Sequence, residues 1–155
     1  EHLRSDDVVV FNNGLHYQPS EAREYGLQLR RLRSAWDGVV SGAQRVGREP
    51  PIGIWRETSA QHFNTPGGEF VVAGPMQPVL EHPGTFACSN ISRKSAVSRN
   101  WRNSVAEVEL GGIMPILRMW ALSQGAPELH THYRVKPGSK TADCTHWCIS
   151  PHGMY

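Results

Sequence analysis

Asp7-Val8-Val9-Val10-Phe11, stopped by Asn12-Asn13-Gly14, is the first readable element of the chain. A short β-branched run without polar interruption suits a strand buried on both faces, as in a parallel sheet. Pro19-Ser20 then marks a helix start, with Ser20 placed to cap it. Tyr25, Leu29, Leu32, Trp36 and Val39 follow at alternating spacings of four and three residues. They form one apolar stripe on a helix of about five or six turns. Arg23, Arg30, Arg31 and Arg33 fall largely off the stripe and read as a solvated face. Gly47 and Pro50-Pro51 close the helix, and Ile52-Gly53-Ile54-Trp55 reads as the second strand. Strand, helix and strand with short joints make a βαβ unit.

Outward from this unit the pattern is looser. Residues 58 to 98 are rich in Gly, Pro, Ser and His, with one short strand expected at 70–73. Residues 113–120 read as a further strand despite Pro115, and 127–140 as loop. The expected fold is α/β, layered, with a mostly parallel sheet. A length of 155 residues with 39% hydrophobic residues and five Trp excludes a disordered polar chain. A formal net charge of +2 argues against a nucleic-acid surface. No uninterrupted apolar run approaches the roughly 20 residues that span a bilayer. The three cysteines stand out, because an odd number cannot pair completely within one chain.

In open α/β sheets chemistry gathers at the carboxyl ends of the strands. Asn12 and Gly14 follow the first strand, and Arg56, Glu57, Ser59 and His62 follow the second. The densest chemistry is Asp143-Cys144-Thr145-His146-Trp147-Cys148. An Asp three residues before a His can hold the imidazole in one tautomer and support the imidazolium formed when it takes a proton. Such a pair is a base with its orienting acid, and it lacks only a nucleophile. A zinc reading is the rival here: His130, His132, Cys144, His146 and Cys148 offer more donors than the four zinc needs. Against it, the C-x-H-x-C spacing departs from the usual knuckle, so no metal is expected.

These stretches together resemble the trichome-birefringence-like family of PC-esterase domains in the SGNH/GDSL hydrolase superfamily. Residues Asp143 to Cys148 are similar to its D-C-S-H-W-C signature, with Thr145 for Ser. Arg56-Glu57-Thr58-Ser59-Ala60-Gln61-His62-Phe63, followed by Gly67-Gly68, resembles its R-T-x-S-P-x-H-F block. Residues Asp7 to Gly14 resemble its D-V-L-V-F-N-T-G block. Departures include Leu15-His16-Tyr17 after the first block, Ala60 for proline, and Ile149-Ser150-Pro151 after the last Cys. The family's nucleophile, the Ser of a Gly-Asp-Ser motif, has no counterpart in this sequence.

The resemblance implies that residues 1–155 are the C-terminal part of one SGNH-like domain, incomplete at the N-terminus and short of a last helix. It implies a polysaccharide O-acetyltransferase working through an acetyl-serine, with Asp143 and His146 as catalytic pair. Asn12 and Gly14 would lie near the oxyanion, and Arg56 and His62 would meet glycan or acyl donor. An acetylesterase, a non-catalytic glycan-binding protein and a zinc-binding module are the alternatives. No cofactor is expected beyond the acetyl donor as co-substrate, and the polysaccharide acceptor is the expected partner. The family points to the lumenal side of the Golgi membrane, with any anchor upstream of Glu1. In that oxidising setting the resemblance implies Cys88 paired with Cys148 and Cys144 paired with an upstream cysteine. Asn90-Ile91-Ser92 is a glycosylation sequon consistent with that route.

Overall fold

The computed structural model describes residues 3–63, 88–91, 99–136 and 139–147. It divides into two compact units, Glu1–Thr58 with Asn100–Trp120 and Ser59–Arg99 with Ala121–Tyr155. The strand expected at 70–73 lies outside the described residues.

The first unit is a mixed α/β structure. Strands β1 (Val8–Phe11), β2 (Ile52–Arg56) and β3 (Ile116–Leu117) form a parallel sheet in the order β1-β2-β3. Val8 pairs with Ile52 and Trp55 with Ile116. Helix α1 (Ala22–Arg45) joins the first two strands, so the βαβ reading holds. The expected stripe faces inward: Tyr25, Leu29 and Trp36 are buried, and Leu32 and Val39 pack against them. Capping differs from expectation at the start. Ser20 lies inside a 3-10 turn (Pro19–Glu21), and the Glu21 carboxylate accepts from the Gln18 N–H at 2.7 Å. At the far end Gly47 adopts φ +68°, Arg48 N–H donates to the Ala43 carbonyl, and Gly47 N–H donates to that of Gln44. This is a Schellman motif, and it is why a glycine stands at that position.

Helix α2 (Trp101–Leu110) leads into β3, which is only two residues long. The strand expected over 113–120 is therefore much shorter, and helix α3 (Trp120–Ser123) takes over its end. Ala106 and Leu110 of α2 join Tyr25, Leu29, Trp36, Trp55 and Met114 in one core, to which Val9, Phe11 and Ile116 add. The opposite sheet face carries Val8, Val10, Ile52 and Leu117, all about half exposed. Burial of β1 on both faces is thus corrected: along β1 the outward and inward side chains alternate.

Gly53 shows how closely α1 meets the sheet. A Cβ there would stand 2.6 Å from two ring carbons of Trp36. Gly53→Ala is expected to cost about 2–3 kcal/mol by overpacking, a fall of roughly 5–10 °C in Tm. Gly38, exposed on the same helix with nothing within 4 Å of a Cβ, is the control. Gly38→Ala should stabilise by about 0.5–1 kcal/mol through helix propensity. Thermal melts of the two variants must move in opposite directions.

The second unit contains strands β4 (His130–Lys136) and β5 (Ser139–Trp147), paired antiparallel. The loop expected over 127–140 is corrected by β4, preceded by a 3-10 turn (Pro127–Leu129). No helix among the described residues is long and apolar enough to cross a membrane.

Candidate active site

Strand β5 is irregular where its chemistry lies. His130 pairs with Trp147 and His132 with Asp143, so three residues, Cys144 to His146, stand opposite Thr131 alone. Such a bulge bends the strand and re-aims side chains. Here it lets Asp143 reach forward along its own chain. Its Oδ1 accepts the N–H of Thr145 at 3.1 Å and of His146 at 3.0 Å. The same carboxylate faces His146 Nδ1 at 3.0 Å through Oδ1 and 2.9 Å through Oδ2. The expected acid–imidazole contact is present, on a bulged strand.

Exposure separates the two partners. The Asp143 side chain is 4% exposed and that of His146 54%. With Nδ1 facing the carboxylate, Nε2 is the nitrogen left for proton transfer. Burial pushes the Asp143 carboxyl up, but the His146 N–H, the His146 ring and the Thr145 N–H outweigh it and hold it below its ordinary value. A depressed carboxyl contributes stability that is present above its unfolded value of about 4 and lost as pH falls through the folded one.

The Ser59–Phe63 stretch runs beside this bulge within the second unit. His62 N–H donates to the Cys144 carbonyl at 3.0 Å, and Gln61 Nε2 donates to Thr145 Oγ1 at 2.7 Å. Ala60 N–H donates to Ser123 Oγ. Two of the sequence blocks singled out above thus meet. His62 itself is fully buried, with Nδ1 at 2.7 Å from His130 Nε2 and Nε2 at 3.1 Å from the Gln124 carbonyl. Its ring is committed to the interior of the unit. His130, which spacing presented only as a metal donor, turns out to be its buried partner.

The disulfide differs from the implied pairing. The structure joins Cys88 to Cys144, their Cα atoms 5.6 Å apart. Backbone bonds explain it: Ser89 N–H donates to the His62 carbonyl at 2.7 Å while His62 N–H donates to Cys144, so His62 draws both cysteine stretches together. The pairings of Cys88 with Cys148 and of Cys144 with an upstream cysteine are corrected accordingly. Cys148 lies outside the described residues. Phe63 packs with the two bonded cysteines in a small buried cluster. The bond takes the Cys144 thiolate out of any zinc donor set. Asn90 is exposed, as glycosylation would require.

The remaining candidates belong to the first unit. Asn12 Nδ2 donates to the Arg56 carbonyl at 2.8 Å and lies 3.4 Å from Thr58 Oγ1. Gly14 is buried, and a Cβ there would fall 2.2 Å from Thr58 Oγ1. Arg56 is half-buried and turns Nη1 toward the Glu57 carbonyl at 3.4 Å. Asn103 of α2 clasps Thr58 from the other side, accepting its N–H at 2.8 Å and donating to its carbonyl at 2.9 Å. Glu57, buried, accepts the N–H groups of Met119 and Trp120 and an Arg118 Nη1–H at 3.1 Å. Glu57 stands among the polar residues expected after the second strand, whereas Asn103 carries no signal in the sequence, since its partner Thr58 lies 45 residues away. Comparison of the chain with family models, curated proteins and solved structures finds no match.

Proposed function

We propose that this chain carries the acid–base pair of a serine-dependent polysaccharide O-acetyltransferase with an SGNH-like layered fold. The observation that carries the reading is a buried Asp143 carboxylate holding Nδ1 of a half-exposed His146. In the reaction His146 Nε2 takes the proton of a serine hydroxyl, supplied by a Gly-Asp-Ser segment upstream of Glu1, as that oxygen attacks the donor's acetyl carbonyl. The proton passes to the departing donor group, leaving acetyl-serine. A sugar hydroxyl then gives its proton to the same nitrogen and attacks the acetyl carbon. The serine oxygen leaves and recovers the proton. Asp143 stays ionised throughout and stabilises each imidazolium. Water in place of the sugar gives the acetylesterase.

Support for the fold comes from the parallel order β1-β2-β3 and from the contact between the His62 stretch and the Asp143–His146 bulge. The Cys88–Cys144 bond favours an oxidising compartment such as the Golgi lumen. The test supplies the full-length wild-type protein with an acetyl ester and a xylan-type oligosaccharide. Mass spectrometry should show acetyl groups added to the sugar. Release of free acetate alone would convert the reading to an esterase, and neither product would sink it.

A further inference from the structure

The buried histidine pair poses a question of proton number. Among the described residues, the four ring nitrogens make three short contacts: His62 Nε2 to the Gln124 carbonyl, His62 Nδ1 to His130 Nε2, and His130 Nδ1 to the His146 carbonyl at 3.1 Å. A carbonyl only accepts, so each outer nitrogen must carry a hydrogen. Two neutral imidazoles hold two ring hydrogens in all, and both are then used at the ends. The inner nitrogens, 2.7 Å apart, would face each other as bare lone pairs. Shifting one ring to its other tautomer mends the centre and leaves a lone pair against a carbonyl. Only a third proton completes all three contacts.

We infer that the His62–His130 pair holds three ring protons, with His130 as an imidazolium donating to both His62 Nδ1 and the main-chain carbonyl of His146. The surroundings place the extra proton on His130. Burial pushes the His62 pKa down; the Gln124 carbonyl and Glu128 work the other way, and Arg99 adds to the fall. The Trp147 ring lies 4.2 Å from that of His130, centroid to centroid, within cation–π range. Asp143, on the same bulge of β5, accepts the His146 N–H while His130 meets the His146 carbonyl.

This makes His130 a positioning residue for the candidate base, a role that rests on the function proposed above. It holds the peptide of His146, while Asp143 holds the ring. Raising the pH removes the third proton and breaks one of the three contacts, so the backbone at His146 is tied to pH through a neighbouring pair.

The test is nitrogen-15 NMR of the full chain labelled at histidine, near pH 7.5, about one unit above the ordinary imidazole value. The expected spectrum shows both His130 ring nitrogens protonated and His62 with one proton, on Nε2. One proton on each ring would overturn the inference. In His62→Phe the central acceptor is gone, and His130 should fall to a single ring proton. Retention of both protons there would also overturn it. If that variant does not fold, the wild-type spectrum decides alone. In full-length enzyme active in acetyl transfer, His62→Phe should shift the alkaline limb of the kcat profile, whereas a merely structural loss would lower kcat equally at every pH. Absence of acetyl transfer leaves the NMR result standing, so the two readings fail separately.

Discussion

Asp143→Asn in the full-length enzyme should lower kcat by about 10⁴-fold and leave KM nearly unchanged. The main-chain grip of the bulge survives this change, because Oδ1 alone accepts the N–H groups of Thr145 and His146. An Asn oxygen can do the same. What changes is the second oxygen, which becomes an NH₂ facing His146 Nδ1. The ring then accepts at Nδ1 and carries its hydrogen on Nε2, where it can no longer take a proton from serine. The effect is thus tautomeric, and the fold serves as internal control: a modest fall in Tm at neutral pH, from loss of the stabilising carboxylate charge, with kcat collapsed is the expected pair of results. Activity within tenfold of wild type would remove Asp143 from the catalytic pair.

The Cys88–Cys144 bond carries the largest expected effect on stability. Its partners are 56 residues apart, and closing a loop of that size stabilises by about 4 kcal/mol through the unfolded chain's lost entropy. Cys88→Ala with Cys144→Ala should therefore lower Tm by roughly 8–15 °C. Wild type in reductant should follow the double variant, and the double variant should show no further change in reductant. Equal melting of wild type with and without reductant would mean that the bond does not form in solution.

How much of this was legible follows from the physics of each element. Helix α1 buries apolar side chains at its own period and β1 and β2 are short apolar runs, so these elements are local and readable. The all-apolar β1 does not show which of its faces is buried. Helix α2 escaped because its buried positions include Arg102 and Asn103, while Val108 points outward. Its core-packing apolar residues, Trp101, Val105, Ala106 and Leu110, share the buried face with those two polar residues, which breaks the stripe. Strand β4, His-Thr-His-Tyr-Arg-Val-Lys, alternates too weakly to announce itself and is defined by pairing with β5. The Asp143–His146 contact was readable because three residues of spacing suffice for it. The His62–His130 pair was not: 68 residues separate its members, and composition says nothing about which histidines meet. The disulfide went astray for the same reason, since it depends on His62 bonding to both flanking stretches.

The sulfur bridge also decides how the molecule comes apart. After Cys88 the chain leaves the second unit, supplies α2 and β3 to the first, and returns before Cys144. Those two elements therefore lie on a covalent ring. A protease that cuts once anywhere between the cysteines opens the ring without releasing a piece, and a non-reducing gel would still show one band. Only reduction would reveal the nick, so the chain can be wounded in its middle and remain a single molecule.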